Sequence, residues 1–188
     1  MNAVADASLA GEALFAAARF RLKSLPQKDC RELIDAMMYQ DIWYDEFLLV
    51  LDPQLPWPDG AAPAIEKTLQ HFALPMPHLD EAYRILIERL LRPIAEGRID
   101  PIGGLSDFMD RFFWEYRDPE NPFGESLGID KVVKLHYQLD DWHSYQPGLL
   151  SDPAFAQQLS TLKVDIVRAA QAWLDGRSQL TGVDRKGG

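Results

Sequence analysis

The sequence predicts an all-α protein, a compact bundle of about seven or eight helices with a possible division into two lobes. Apolar residues recur every three or four positions along several segments, which is the spacing of one helix face. Proline and glycine separate these segments, and Asp-Pro pairs, which favour helix starts, precede two of them. Hydrophobic residues make up 47% of the chain, enough to bury a sizeable core.

The 188 residues fit one domain. We expect residues 1–176 to form it and residues 177–188, which are polar and contain glycine, to form a flexible tail. Prolines 53, 56, 58 and 63 punctuate a loop, so a boundary between two lobes is expected near residues 52–63.

Two helices and an ambiguous stretch are predicted before that loop. Residues 9–24 are rich in alanine, and Leu14, Phe15, Ala18 and Leu22 lie at helical spacing. Asp29 is placed to cap a second helix, whose apolar face is predicted to be Leu33, Ile34, Met37 and Met38. Residues 42–51 fit either a buried helical turn or a short strand.

The clearest helical patterns lie after the loop, at residues 79–96 and 152–174. Between them Asp100 is predicted to cap a helix that begins at Pro101, and residues 126–142 are predicted to be helical as well. Gly103-Gly104 would allow close packing of that helix against a neighbour. The apolar side chains predicted to face inward on it are Leu105, Phe108, Met109, Phe112 and Phe113.

The charge of the chain limits its possible partners. The formal net charge is -10 and the pI about 4.8. Nucleic-acid binding and docking on anionic membranes are therefore not expected, because both require a basic surface. A basic protein partner is allowed, although many soluble proteins are simply acidic. The only cysteine, Cys30, is expected to be a buried apolar residue. Neither a membrane span nor a signal peptide is expected. The predicted location is therefore the cytoplasm.

No motif specifies a reaction or a cofactor, so an enzyme is not favoured and no cofactor is predicted. One group has the spacing of a possible metal site. His136, Asp140 and His143 follow each other at four and three residues, which places two imidazoles and a carboxylate on one helix face. The alternative for these residues is an ordinary solvated face.

Residues 36–65 form an acidic segment that contains aromatic residues. It holds five acidic residues and neither lysine nor arginine. Aromatic side chains anchor protein interfaces, and charge of one sign steers an oppositely charged partner. The predicted partner-binding residues are Tyr39, Asp41, Trp43, Tyr44, Asp45 and Glu46. The alternative is that the aromatic residues belong to the core and the acids are merely solvated.

From about residue 85 onward the layout resembles known helical proteins. An amphipathic helix is followed by residues 96–101, an aromatic helix through Phe108 and Phe112, Leu127-Gly128, an acidic stretch at 139–141 and a closing helix that ends at 169–174. This order resembles uncharacterised all-helical bacterial proteins and is distantly similar to colicin-type immunity proteins. The resemblance implies a helical inhibitor that binds a basic toxin domain.

Two functions are therefore carried forward. The first is a non-enzymatic protein-binding domain, immunity-like in the sense that the resemblance implies, that presents an acidic and aromatic surface to a basic partner. The second is a metal-binding or enzymatic domain centred on His136, Asp140 and His143. The sequence leaves the oligomeric state open.

Overall fold

The computed structural model describes residues 3–52, 54, 56–116, 127–145 and 153–183, and the side chains within them except those of 3–6, 143–145, 153–154 and 177–183. The described residues are helical and include no strand, so the predicted all-α class is confirmed. The chain divides into two compact units, Met1–Leu86 and Ile87–Gly188. The division falls within a helix, and residues 52–63, where a lobe boundary was expected, lie inside the first unit.

The first unit contains four complete helices. These are α1 (Ala3–Arg21), α2 (Gln27–Met38), α3 (Phe47–Leu51) and α4 (Ala62–His71), the last preceded by a 3-10 turn at Asp59–Ala61. Helix α1 packs against α2 and α4, and α3 packs against the same two helices. Helix α5 (Leu79–Ala95) begins in this unit and ends in the second.

Small residues on α1 form its buried face. Ala13, Ala16 and Ala17 are buried in the core of the first unit, whereas Leu14 and Phe15 are only partly buried. Of the predicted positions, only Ala18 is fully buried, so the predicted spacing includes one residue of the buried face. An alanine face lets the neighbouring helices approach closely, since each side chain adds only one carbon to the helix surface.

Helices α1, α2 and α4 end in the same way, with one residue in the left-handed region. These residues are Lys23 (φ 56°), Asp41 (φ 60°) and Ala73 (φ 53°). After α2, the Ile42 N–H donates to the Met37 carbonyl (3.1 Å) and the Asp41 N–H to the Met38 carbonyl (3.0 Å). This paired arrangement is a Schellman motif, which satisfies the last carbonyls of a helix and reverses the chain.

The second unit is built on a long closing helix. Its described helices are α6 (Pro101–Phe108), a π-helical turn at Met109–Phe113, α7 (Trp114–Tyr116), α8 (Asp130–Tyr145) and α9 (Pro153–Val183). Helix α9 packs against α6 and α8, and α6 also contacts α8. All five residues predicted to face inward on the aromatic helix are buried, as are Phe155, Leu162 and Ile166 of α9.

Four expectations about local structure were wrong or incomplete. Asp29 does not cap α2; the cap position is Pro26, and Asp29 instead accepts a hydrogen bond from Arg19 at 2.6 Å. Met38 is 43% exposed and does not belong to the buried face of α2. The ambiguous stretch 42–51 is helical only at α3. Helix α9 continues to Val183, so residues 177–183 of the expected tail have a helical backbone, and 184–188 lie outside the described residues.

The expected burial of Cys30 is confirmed. Cys30 is fully buried, and this burial raises the pKa of its thiol to about 12 because an apolar surrounding disfavours the thiolate. Within the described part of the chain, no helix is both long and apolar enough to cross a membrane.

Asp100 caps α6 and also links it to α9. Its carboxylate accepts hydrogen bonds from the N–H groups of Ile102 and Gly103, both at 3.1 Å, and from Lys163 at 2.7 Å. The Lys163 bond, followed by the Gly103 N–H, holds the pKa of Asp100 below its ordinary value. The predicted cap is therefore confirmed, and it carries an ion pair that the sequence pattern did not indicate.

Gly104 allows close packing between α6 and the end of α5. A Cβ atom at this position would lie 2.6 Å from Ile94 Cγ1 and 2.8 Å from Ile99 Cδ1, whereas at Gly103 the nearest atom would be 3.9 Å away. Ile94 is fully buried and, being β-branched, has little freedom to move aside.

We predict opposite effects for alanine at these neighbouring glycines. Gly104→Ala should lower the free energy of unfolding by about 1–3 kcal/mol, because the methyl group overpacks against Ile94. Gly103→Ala should raise it by about 0.5 kcal/mol, because alanine favours the helix and its methyl group makes only an ordinary contact at this position. Urea unfolding of both variants measures the difference. Equal effects at the two sites would contradict the packing described for Gly104.

We predict that the Asp100 cap stabilises the fold only when its carboxylate is charged. Asp100→Ala should cost about 1 kcal/mol at pH 7. Because folding lowers the pKa of Asp100, its contribution is present above the ordinary aspartate pKa of about 4 and is lost as the pH falls through the lowered folded-state value. When unfolding is measured from pH 7 to pH 2, the difference in unfolding free energy between Asp100→Ala and the unsubstituted protein should become smaller. Asp107→Ala, which removes an exposed acid from the same helix, is the control. A deficit that does not change with pH would exclude this account.

Candidate functional site

Exposed apolar side chains are concentrated in one short part of the first unit. Among the described residues, eleven large hydrophobic side chains are exposed, and six of them fall between residues 38 and 51. We call these six, together with the acids Asp41, Asp45 and Asp52, the α2–α3 surface. Its apolar members are Met38, Tyr39, Trp43, Leu48, Leu49 and Leu51.

The shortness of α3 explains why its leucines are exposed. Phe47 and Val50, three residues apart and so on one face, are buried in the core of the first unit. The other positions of this five-residue helix point away from that core, and Leu48 is 54% exposed. Leu51 is 51% and Leu49 36% exposed, so each of the three leucines presents part of its surface to solvent.

Tyr39 and Trp43 flank the turn that ends α2. Tyr39 is 92% exposed and Trp43 is 46% exposed. The Trp43 ring meets the edge of Phe47, with centroids 6.2 Å apart, so its orientation is fixed from the core side while its outer part remains in solvent. Asp41, between them, adopts the left-handed conformation that an aspartate tolerates better than most residues.

Several contacts beneath this surface hold it in place. The Tyr44 hydroxyl lies 3.0 Å from His71 Nδ1, and its ring packs edge-on against Phe47 at 5.5 Å. Gln27 donates to the Val50 carbonyl at 3.1 Å, and Glu46 pairs with Lys67 at 3.6 Å. Polar and apolar contacts therefore both fix the segment that carries the α2–α3 surface. A segment that is already fixed loses less conformational entropy when it binds a partner.

The acidic residues of the segment fall into two groups. Glu46 and Asp59 are engaged by lysines, Asp59 by Lys23 at 3.1 Å. Asp41, Asp45 and Asp52 are exposed and make no ion pair with any described residue; Asp52 only accepts a bond from the Gln54 N–H at 2.8 Å. The uncompensated charge of the segment is thus carried by the three acids of the α2–α3 surface.

The structure therefore separates the six residues predicted to bind a partner. Tyr39, Asp41, Trp43 and Asp45 lie in the α2–α3 surface, whereas Tyr44 and Glu46 are occupied by intramolecular contacts. Sequence reasoning missed Met38 and the three leucines, because apolar residues at helical spacing predict a core face. The signal that could have found the leucines is the run Phe47–Leu51, in which a helix has more apolar residues than one face can bury.

The alternative metal site is only partly described. His136 and Asp140 both lie on α8, Asp140 is exposed, and the buried Nδ1 atom of His136 has no hydrogen-bond partner among the described residues. The side chain of His143 lies outside the described residues. Among the residues whose side chains are described, no three His, Cys, Asp or Glu residues are grouped as a metal ion would require. The three-residue site stays a prediction.

Comparison with known proteins gives no match, whether with protein-family models, curated proteins or solved structures. Function is therefore inferred below from surface chemistry.

We predict that the exposed leucines contribute little to stability while their buried neighbour contributes much. Leu48→Ser and Leu49→Ser should each change the free energy of unfolding by about 0.5 kcal/mol or less. Phe47→Ala should cost about 3–5 kcal/mol, because it leaves a cavity in the core. Chemical unfolding of the three variants tests this. A loss above about 2 kcal/mol for either serine variant would show that the leucines are buried in solution.

Proposed function

We propose that this chain is a protein-binding protein whose α2–α3 surface binds a basic, amphipathic segment of a partner. The observation that carries the proposal is the grouping of six exposed apolar side chains with three unpaired aspartates within residues 38–52. Large exposed apolar patches on soluble proteins mark interaction sites, and tyrosine, tryptophan and methionine are enriched in interface cores.

Charge selects the kind of partner. The first unit has seven basic and thirteen acidic residues, a net charge of -6. A second copy of the chain would bring the same acids against Asp41, Asp45 and Asp52, and like charges facing each other disfavour such a pairing. A partner with lysine or arginine around an apolar face would instead be attracted by these acids and could cover the leucines.

The resemblance to colicin-type immunity proteins supports the same kind of partner. Those proteins are acidic helical inhibitors of basic toxin domains, so an immunity-like role would make the partner a basic domain of this kind. The proposed role is non-enzymatic and cytoplasmic, and it requires no cofactor.

Site-specific photo-cross-linking in the native host tests the proposal. A benzoylphenylalanine at position 39, the most exposed aromatic of the surface, should give an adduct with a protein of basic pI. The same group at position 137, where Tyr137 is 41% exposed in the second unit, serves as the matched aromatic control and should not. An adduct only with a second copy of the chain, or equal adducts at both positions, would overturn the proposal.

Two sets of variants then measure the contributions to affinity for the partner identified in this way. Trp43→Ala should weaken binding about 30-fold if Trp43 is an anchor worth about 2 kcal/mol. Asp41→Asn, Asp45→Asn and Asp52→Asn together should slow association, and this effect should diminish at high salt.

The matched control replaces Asp107, Asp110 and Asp175, which are exposed acids of the second unit, by asparagine. Both triple variants change the net charge from -10 to -7. Asparagine also tolerates the left-handed conformation at position 41. If the two triple variants lose affinity equally, the effect comes from overall charge and not from the α2–α3 surface.

A further inference from the structure

The second unit contains an open groove between α8 and α9 with a volume of about 480 Å³. Lys131, Lys134, Leu135 and Gln138 line it from α8. These positions are spaced by three, four and seven residues from the first, so they form one stripe along the helix. The stripe from α9 has the same spacing and begins at Asp165.

Small side chains on α9 create the space. Ala169 and Ala172 line the groove from α9 and Leu135 lines it from α8, and we call these three apolar side chains its floor. Seven residues of helix correspond to about 10 Å of length. The groove is therefore long enough for a short apolar chain, and its volume falls within the range of about 300–1,000 Å³ that small-molecule sites occupy.

The rim of the groove is basic, unlike the chain as a whole. Lys131, Lys134 and Arg168 are exposed, and Asp165 is the only acid among the described residues that line the groove, so the described lining carries a net charge of +2. Arg168 contacts Asp165 at 3.6 Å, whereas Lys131 and Lys134 form no ion pair with the described residues. Two ammonium groups beside an apolar floor are therefore available to an external anion.

A second pocket of this unit provides a comparison. It has a volume of about 420 Å³ and is lined by residues of α9 and by Pro101. Its polar side chains are already engaged: Lys163 binds Asp100 at 2.7 Å and Gln171 donates to the Ala95 carbonyl at 3.1 Å. The groove between α8 and α9 differs because its two lysines have no such partners.

We propose that the groove between α8 and α9 binds a small anionic amphiphile, a molecule with one carboxylate head and a short apolar chain. The head would contact Lys131 and Lys134, and the chain would lie on Leu135, Ala169 and Ala172. A protein partner fits less well, because a stable protein interface covers about 800 Å² on each side. Two helical turns of groove wall provide much less.

Octanoate is the probe for this proposal, with binding followed by NMR on the isotope-labelled full chain. Octanoate should bind saturably and shift the amide signals of residues 131–138 and 165–172. Octyltrimethylammonium, which has the same chain and the opposite charge, and acetate, which has the head alone, should each bind at least tenfold more weakly. Equal affinity for either comparison compound would overturn the proposal, since the first would show apolar adsorption only and the second simple ion pairing.

Substitutions in the groove separate it from the rest of the surface. Replacement of Lys131, Lys134 and Arg168 by glutamine should weaken octanoate binding at least tenfold. Replacement of Arg21, Lys28 and Arg111, which are exposed cations elsewhere, by glutamine changes the net charge equally and should leave binding unchanged. Equal losses in the two triple variants would contradict the groove as the site.

A larger apolar side chain at position 172 would occupy part of the groove without changing any charge. Ala172→Leu adds three carbons to an exposed helical position, where leucine is well tolerated, so the fold should be retained. Octanoate binding should fall at least fivefold while the circular dichroism and thermal unfolding match those of the unsubstituted chain. Unchanged octanoate affinity in a folded Ala172→Leu protein would show that the apolar chain does not lie there.

Discussion

The fully buried ring of Phe47 holds the segment on which the proposed binding function depends. Its neighbours along the chain, Trp43 and Tyr44, both meet it edge-on, at 6.2 and 5.5 Å. Tyr44 then reaches His71 of α4, so one aromatic residue connects the turn after α2 to a second helix. Because Phe47 and Val50 use one side of α3, the leucines at its other positions remain partly exposed, and this exposure results from how the segment is held in place.

Chain reversal between helices imposes a second constraint. The turns after α1, α2 and α4 each place a residue other than glycine in the left-handed region, at a cost of about 1–2 kcal/mol for an ordinary L-residue. In the turn after α2 the residue is Asp41, and the same turn brings Tyr39 and Trp43 to the surface on its two sides. An aspartate there combines a tolerable backbone conformation with a charge at the edge of the apolar patch. Lys23 and Ala73 occupy the equivalent positions without any such surface.

How far the sequence predicts the structure depends on what each helix face is made of. On α6 the buried side chains are large, so their spacing identifies the correct face, and Leu105 and Phe108 are buried as expected. On α1 the buried face consists mainly of alanines, and the predicted spacing combines one of them, Ala18, with the larger Leu14 and Phe15, which are only partly buried. The Gly104 contact with Ile94 and the Asp100–Lys163 pair join residues distant in sequence, so no local pattern could specify them. The same holds for Tyr44, whose intramolecular partner His71 lies 27 positions away.

The structure also changes which property of residues 36–65 points to function. Five acids without a lysine or arginine predict a strongly charged segment, but Lys23 and Lys67, from outside it, engage two of those acids. Charge alone then distinguishes this region little from the rest of an acidic protein. Exposed apolar area distinguishes it much better, because six of the eleven exposed large hydrophobic side chains among the described residues lie there.

Burial of apolar area is also the main source of affinity in protein association, whereas charges at an interface rim mainly set rate and specificity. We therefore expect the apolar residues Met38, Leu48, Leu49 and Leu51 to contribute more to the affinity than the aspartates of the same surface. The aspartates are expected to determine the association rate and the preference for a basic partner.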